Sequence, residues 1–236
     1  MSTPPEPAPA EPEAEKKKAP EAKPKRRPGE PLGYGGLVWA LMRRPAPWIV
    51  GILLVGLAGL IRGFVGPSAE SAVTLATYAP FLAGAWAVYA ATGAGPHGML
   101  PPKRRALTYG STALVVAVLS GIAEVTLTAV GGLIVRTAFA LGPMAALAEG
   151  IWPPQSLWKG ILVIDDRPKE FAIMAAGSLG AALVFRILMS WLLTRVFGVT
   201  SEAGFLEGVS RGVGWVVISA VWMRFYLASP LSKPAT

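Results

Sequence analysis

The sequence lacks cysteine altogether and contains a single histidine, His97. The absence of cysteine excludes disulfides, thiolate metal sites and a cysteine nucleophile, and one histidine leaves little basis for imidazole catalysis. Charged residues are also scarce, at 15% of the chain, whereas soluble domains average about 25%. The composition therefore argues against an ordinary water-soluble fold.

The chain is rich in apolar residues, with 53% hydrophobic residues and a mean hydropathy of +0.49. A net charge of +8 would suggest nucleic acid as the partner of a soluble protein. With this apolar content it points to a bilayer first, so we expect the lipid bilayer as partner and argue against nucleic acid. The alanine-, glycine- and proline-rich composition is typical of a GC-rich bacterium, and we expect a bacterial inner membrane.

Residues 1–30 form a segment of their own, with eight prolines and no Val, Ile, Leu, Phe, Trp or Tyr. Without apolar side chains to bury, such a segment is predicted to be disordered. Its basic residues, from Lys16 to Arg27, lie nearest to the first apolar segment. We interpret residues 1–30 as a cytoplasmic tail that fixes the orientation of the protein, with protein docking or nucleic-acid binding as the alternative.

The remainder divides into three parts. Residues 31–46 predict an interfacial amphipathic helix, residues 47–229 a transmembrane helix bundle, and residues 230–236 a short C-terminal tail. The apolar face of the interfacial helix is expected to consist of Leu37, Val38, Leu41 and Met42.

Four segments are long and apolar enough to cross a hydrocarbon core of about 30 Å, which takes about 20 helical residues. They are 47–65, 71–92, 171–194 and 209–228. The stretch between 106 and 152 would extend about 70 Å as one helix. It forms either two spans that turn near Gly131-Gly132, or one span followed by a surface helix.

The distribution of lysine and arginine favours two spans there, and hence six in total with both termini in the cytoplasm. Nine basic residues of the chain beyond the tail then lie inside and four outside, against seven and six for five spans, which remain the alternative. The nine are Arg43, Arg44, Lys103, Arg104, Arg105, Lys159, Arg167, Lys169 and Lys233, and the four are Arg62, Arg136, Arg195 and Arg211. The polar segment 153–170 is expected to form a short surface helix, and its Asp165-Asp166 pair is typical of a solvated loop rather than a metal site.

Small residues recur in three predicted spans at intervals of about one helical turn, a spacing that lets membrane helices approach closely. These helix-packing candidates are Gly59 and Gly63 in the first span, Gly177 and Gly180 in the fifth, and Gly204, Gly208 and Gly212 in the last. We interpret them as contacts within the chain. The alternatives are a homo-oligomer or docking onto a partner membrane protein.

Ionisable residues inside apolar segments need a partner or a function, because a charge at the centre of a membrane helix costs about 2.5–3.5 kcal/mol on insertion scales. The candidates are Glu124, Arg186, Arg136, Arg62 and Arg224. Glu124 is expected deep in the third span, where a pair with Arg186 is geometrically possible and the other arginines are alternatives. Glu207 and Arg211, four residues apart, can pair on one helix face. Glu124 is then a structural ion-pair partner, a protonatable carboxyl on a solute path or a neutral acid.

No motif predicts a catalytic, cofactor or metal site, since the sequence has no P-loop, Rossmann fingerprint or zinc spacing and no histidine in a predicted span. We therefore expect a non-enzymatic protein without a cofactor. The glycine spacing and the charged tail favour an accessory, anchoring or assembly component for partner membrane proteins. The alternative is a small-solute or proton-coupled transporter or channel that uses Glu124 and the arginines, although only Pro80 and Pro143 mark candidate helix breaks.

Overall fold

The computed structural model describes residues 29–66, 70–93, 98–197 and 202–233. Across these ranges the chain is helical, without strands, and it has six helical stretches long and apolar enough to cross a membrane. These are Pro45–Val65, Ala72–Ala91, Lys103–Thr128, Val130–Glu149, Pro168–Val196 and Gly204–Leu227. The prediction of an all-α, multi-pass membrane bundle with six spans is confirmed. His97 and residues 1–28 of the predicted tail lie outside the described residues.

The helices follow one another with short connections. In chain order they are α1 (Tyr34–Met42), α2 (Pro45–Val50), a π-helical turn (Gly51–Val55), α3 (Gly56–Val65), α4 (Glu70–Ala91), α5 (Lys103–Ala138), α6 (Gly142–Glu149), α7 (Pro153–Asp166), α8 (Pro168–Phe197) and α9 (Glu202–Leu227). The segments α2, π-turn and α3 form the continuous first span. Pro45 begins it at a position where no backbone N–H is needed, and Gly66, with φ +76°, ends it.

Because successive spans alternate in direction, the bundle has two ends. The near end holds α1, the C-terminus of α6 and Leu227, and the far end holds Val65 and Gly204. Contacts across the near end join distant parts of the chain. Gly29 N donates to Thr92 O at 3.0 Å, and Arg224 Nε donates to Leu32 O at 2.5 Å. The segment that precedes α1 is therefore fixed against the last span.

The third and fourth spans meet at Thr128, not at Gly131-Gly132 as the sequence suggested. Thr128 has φ 78° and ψ 175°, and it is the only non-glycine residue with positive φ in the described ranges. Gly131 and Gly132 lie just beyond the turn, where a Cβ would meet the carbonyl oxygens of Ala123 and Ser120 at 2.9 and 3.2 Å. The two glycines allow the returning helix to approach the outgoing one, and the turn itself is made before them.

The fourth span is broken in its middle. The second arm of α5 ends at Ala138, residues 139–141 form a turn, and α6 resumes at Gly142 with Pro143 near its first position. All residues of α6 from Met144 to Ala148 are fully buried. Of the two prolines that marked candidate breaks, Pro143 lies beside one, whereas Pro80 lies within a continuous α4.

The short helices α1 and α7 both form, with contact faces that differ in part from the predicted ones. In α1 the buried residues are Leu37, Ala40 and Leu41, whereas Val38 and Met42 are exposed. In α7 the buried residues are Ser156, Gly160 and Val163. A Cβ on Gly160 would lie 2.6 Å from Gly142 N, so α7 packs closely against the start of α6 rather than only resting on the membrane surface.

Candidate functional site

Glu124 pairs with Arg136, its neighbour across the turn at Thr128. Arg136 Nη2 lies 3.2 Å from Glu124 Oε2, and Arg136 Nε donates to Ser120 Oγ at 3.2 Å. Because the third span ends at Thr128, Glu124 lies about 6 Å from the turn and not deep in the span. Both side chains are about half exposed, and the pair with Arg186 that the sequence allowed is not formed.

Arg186 instead joins a second cluster, centred on Glu207. Glu207 Oε1 accepts from Arg186 Nη2 at 2.5 Å and from Arg211 Nη2 at 3.1 Å, and Arg62 Nη1 lies 4.0 Å away. The structure therefore contains the Glu207–Arg211 pair expected from the four-residue spacing. It also brings in side chains from α3 and α8, so one carboxylate links three spans near the far end.

Arg224 lies at the near end, away from both clusters. Besides its hydrogen bond to Leu32 O, its guanidinium stacks 4.3 Å from the centre of the Tyr34 ring. Cation–π contacts of this kind contribute about 0.5–1 kcal/mol at exposed sites. Arg224 holds the N-terminal segment and is remote from Glu124.

Among the ion pairs of the described residues, the most buried carboxylate is that of Glu149, which was not among the sequence candidates. Its side chain is 8% exposed. Oε2 accepts from Lys159 Nζ at 2.7 Å, and Oε1 accepts from Tyr226 Oη at 2.6 Å and from Lys233 N at 2.8 Å. A signal was present, since an acidic residue at a helix C-terminus opposes the helix dipole and so calls for a cationic partner.

Polar side chains from α5 complete this near-end region. Arg105 Nη1 and Thr108 Oγ1 donate to the carbonyl oxygens of Ala148 and Ala146, in the last turn of α6. Ala146 O also accepts from Gly150 N, at 2.9 Å. Thr112 Oγ1 and Ser156 Oγ lie 3.0 Å apart and tie α5 to α7. These contacts join α5, α6, α7 and α9 at the near end.

The glycine candidates separate into two groups. At Gly59, Gly204, Gly208 and Gly212, a Cβ would overlap the backbone of the opposing helix, so α9 lies directly against the first span along this line. At Gly63, Gly177 and Gly180, a Cβ would meet no heavy atom within 4 Å. The first group lies at contacts between helices of this chain, and a side chain at the second group would meet no atom of it.

A cavity of about 300 Å³ lies within the bundle between α4, both arms of α5, α6, α8 and α9. Its wall is mainly apolar and aromatic, and Phe81 packs edge-on against Trp215 and Trp222, with ring centres 5.9 and 5.8 Å away. Of the five intramembrane charged residues selected from the sequence, Arg136 is the one that lines this cavity.

The described residues offer no group of three or more metal-ligating side chains. Ser178, in the Gly-Ser-Leu-Gly stretch of α8, donates to Ala175 O at 3.2 Å and accepts from Trp222 Nε1 at 3.0 Å. This serine therefore ties α8 to α9. Asp166 lies 3.8 Å from Arg167 Nε.

Comparisons with protein-family models, with curated proteins and with solved structures find no match for this chain. Its functional interpretation rests on the geometry described above.

Proposed function

We propose that this protein is a non-enzymatic assembly component that binds a transmembrane helix of another membrane protein through the outer face of α8. This face consists of Ile173, Gly177, Gly180, Val184 and Trp191, which share one side of the helix at 100° per residue. The observation that carries the proposal is the poor coverage of α8. Only 11% of its most apolar stretch is buried, against 56% in the spans Ala72–Ala91 and Val130–Glu149.

The energetic cost of the two glycines supports a protein partner. A glycine inside a helix costs about 0.8–1.0 kcal/mol relative to alanine, so Gly177 and Gly180 together cost about 2 kcal/mol. At Gly208 the close approach of a neighbouring backbone offsets this cost, but nothing in the described chain does so at Gly177 and Gly180. At Gly177 and Gly180 the helix surface lacks side chains, and this gap offers lipid tails little additional contact. A second helix, in contrast, can bring its backbone close to α8 there.

The test is co-purification from the native membrane in mild detergent, combined with crosslinking from α8. The variants Gly177→Leu and Gly180→Leu place bulk on the outer face without a clash inside the chain, so we expect normal folding and loss of the partner. Gly121→Leu is the matched control, because a Cβ on Gly121 also meets nothing within 4 Å, and it lies on α5.

Retention of the partner by both α8 variants would contradict the proposal. A lone monomer from the native membrane would do the same. A homo-oligomer lost only in the α8 variants would replace the hetero-partner by a second copy of this chain.

One observation favours the alternative of a small-solute transporter. Broken helices at mid-membrane mark substrate sites in many transporters, and the fourth span is broken beside the cavity. The pairing of Glu124 with Arg136 weighs against a freely titrating carboxyl. If Glu124→Gln abolished solute flux in liposomes while the protein stayed folded, the transporter would be favoured.

We further propose that the membrane is a bacterial inner membrane and that the near end faces the cytoplasm. The six-span arrangement supports this orientation, because nine of the thirteen basic residues compared above lie toward the near end and four toward the far end.

A further inference from the structure

The cavity between α4, α5, α6, α8 and α9 is polarised along the axis of the bundle. On α4, Thr74 lies about 3 Å below the far end of the span and Phe81 about 14 Å below it. The polar wall residues, among them Thr74, Tyr78 and Arg136, all belong to the upper part of the cavity. The lower part is formed by Phe81, Trp215, Trp222 and other apolar residues. The cavity therefore has a polar top near one membrane surface and an apolar floor near the midplane.

The backbone around the cavity departs from regular helix. Residues 139–141, the break in the fourth span, contribute Phe139 and Ala140 to the wall, and Pro143 follows at the start of α6. Irregular backbone at membrane depth occurs where it lies within protein or borders a cavity, and broken spans are common at binding sites. The break and the cavity thus coincide.

A groove of about 360 Å³ between α4 and the first arm of α5 leads to the same place from the lipid side. Tyr78 borders both the groove and the cavity. At this point α4 and α5 are joined by a hydrogen bond from Tyr109 Oη to Tyr78 O, at 3.0 Å. Within the described residues, the Tyr78 side chain makes no hydrogen bond of its own. Tyr78 thus lies at the boundary between the groove and the cavity.

We propose that this cavity binds a single-tailed amphiphile from the bilayer, with its hydrocarbon tail on the aromatic floor and an oxygen-bearing head beside Tyr78 and Arg136. The volume of about 300 Å³ is at the lower end of ligand sites. It holds about ten groups of the size of a water molecule, which suits one tail and excludes a two-tailed lipid. Because Arg136 already pairs with Glu124, the head needs hydrogen-bond acceptors but not a full negative charge.

The experiment uses the full-length protein in nanodiscs and two photoactivatable probes, a diazirine-labelled decanoic acid and the corresponding monoacylglycerol. Both have an oxygen-bearing head, and only the fatty acid is anionic. We expect crosslinks to peptides of α4 and α9 that contain Phe81 and Trp222. The variant Ala140→Leu fills the cavity and is expected to reduce labelling there by about tenfold. The control Ala172→Leu, on the exposed surface of α8, should leave it unchanged.

A second variant keeps the test decisive if Ala140→Leu folds poorly. Tyr78→Phe removes one hydroxyl at almost constant volume and should weaken labelling by both probes, but not by diazirine-labelled decane, which lacks a head. Equal labelling of wild type and a folded Ala140→Leu would overturn the proposal, as would crosslinks confined to exposed helix faces. Binding of the fatty acid alone would narrow the ligand to an anionic head, and binding of both would leave an uncharged acceptor sufficient.

Discussion

The line of glycines between α9 and the first span makes a quantitative prediction about stability. In Gly208→Ala the added methyl group would overlap the carbonyl oxygen of Val55 and lie 2.9 Å from its carbon and 3.0 Å from Gly56 Cα. These obstacles are backbone atoms, and Val55 is fully buried. The two helices therefore have to move apart to accept the change.

The magnitude follows from two opposing effects. Overpacking costs about 1–3 kcal/mol, and the replacement of a helical glycine by alanine returns about 0.5–1 kcal/mol. Because the obstacle is rigid, we expect Gly208→Ala to lose about 1–2 kcal/mol in the free energy of unfolding. Gly63→Ala is the control, since its Cβ meets nothing within 4 Å and only the gain in helix propensity remains. We expect no loss, or a gain of up to about 1 kcal/mol.

The assay is unfolding in mixed micelles with increasing SDS, followed by tryptophan fluorescence. A loss in Gly208→Ala no greater than in Gly63→Ala would refute the reasoning, because α9 would then not be packed against the first span at backbone distance.

Two further predictions concern the near end. Glu149→Ala leaves Lys159 without its buried partner, so we expect a loss of about 3–5 kcal/mol in the free energy of unfolding in the same assay; a loss below about 1 kcal/mol, typical of an exposed pair, would contradict the burial of this network. A cysteine placed at Gln155 should resist an impermeant thiol reagent in intact cells, whereas a cysteine at Val196, at the far end, should react. The opposite pattern would invert the orientation, and the lack of native cysteine keeps the readout free of background.

The spans could be predicted from the sequence because the thickness of the hydrocarbon core sets the length of an apolar span. The distribution of lysine and arginine then favours two spans between residues 106 and 152. The position of the turn could not be predicted. Gly131 and Gly132 looked like the turn because glycine often makes turns, yet here they serve close packing between the two arms. The turn is made at Thr128, and nothing in the neighbouring sequence indicates a positive φ at this residue. This shift also moved Glu124 toward the membrane surface and placed it opposite Arg136.

Ion pairs were predictable only where the helix fixes the distance. Glu207 and Arg211 lie on one helix face at any tertiary arrangement, and the structure contains that pair. The contacts of Arg186 and Glu149 depend on how separate helices pack, which their sequence spacing does not encode. Gly59 and Gly63 show the same limit within a single motif. One lies against Gly204 and Gly208, and the other faces open space, although both satisfy the same four-residue interval.

The carboxylates at the two ends of the bundle differ in burial, and this difference bears on the proposed ligand site. At the near end Glu149 is buried and fully engaged, so the arrangement of α5, α6, α7 and α9 has little freedom. At the far end the carboxylates of Glu124 and Glu207 are 50% and 37% exposed, so neighbouring side chains constrain them less than they constrain Glu149. The polar top of the cavity lies in this less constrained half. The buried and fully engaged near end is therefore suited to hold the fold while a ligand is bound in the cavity.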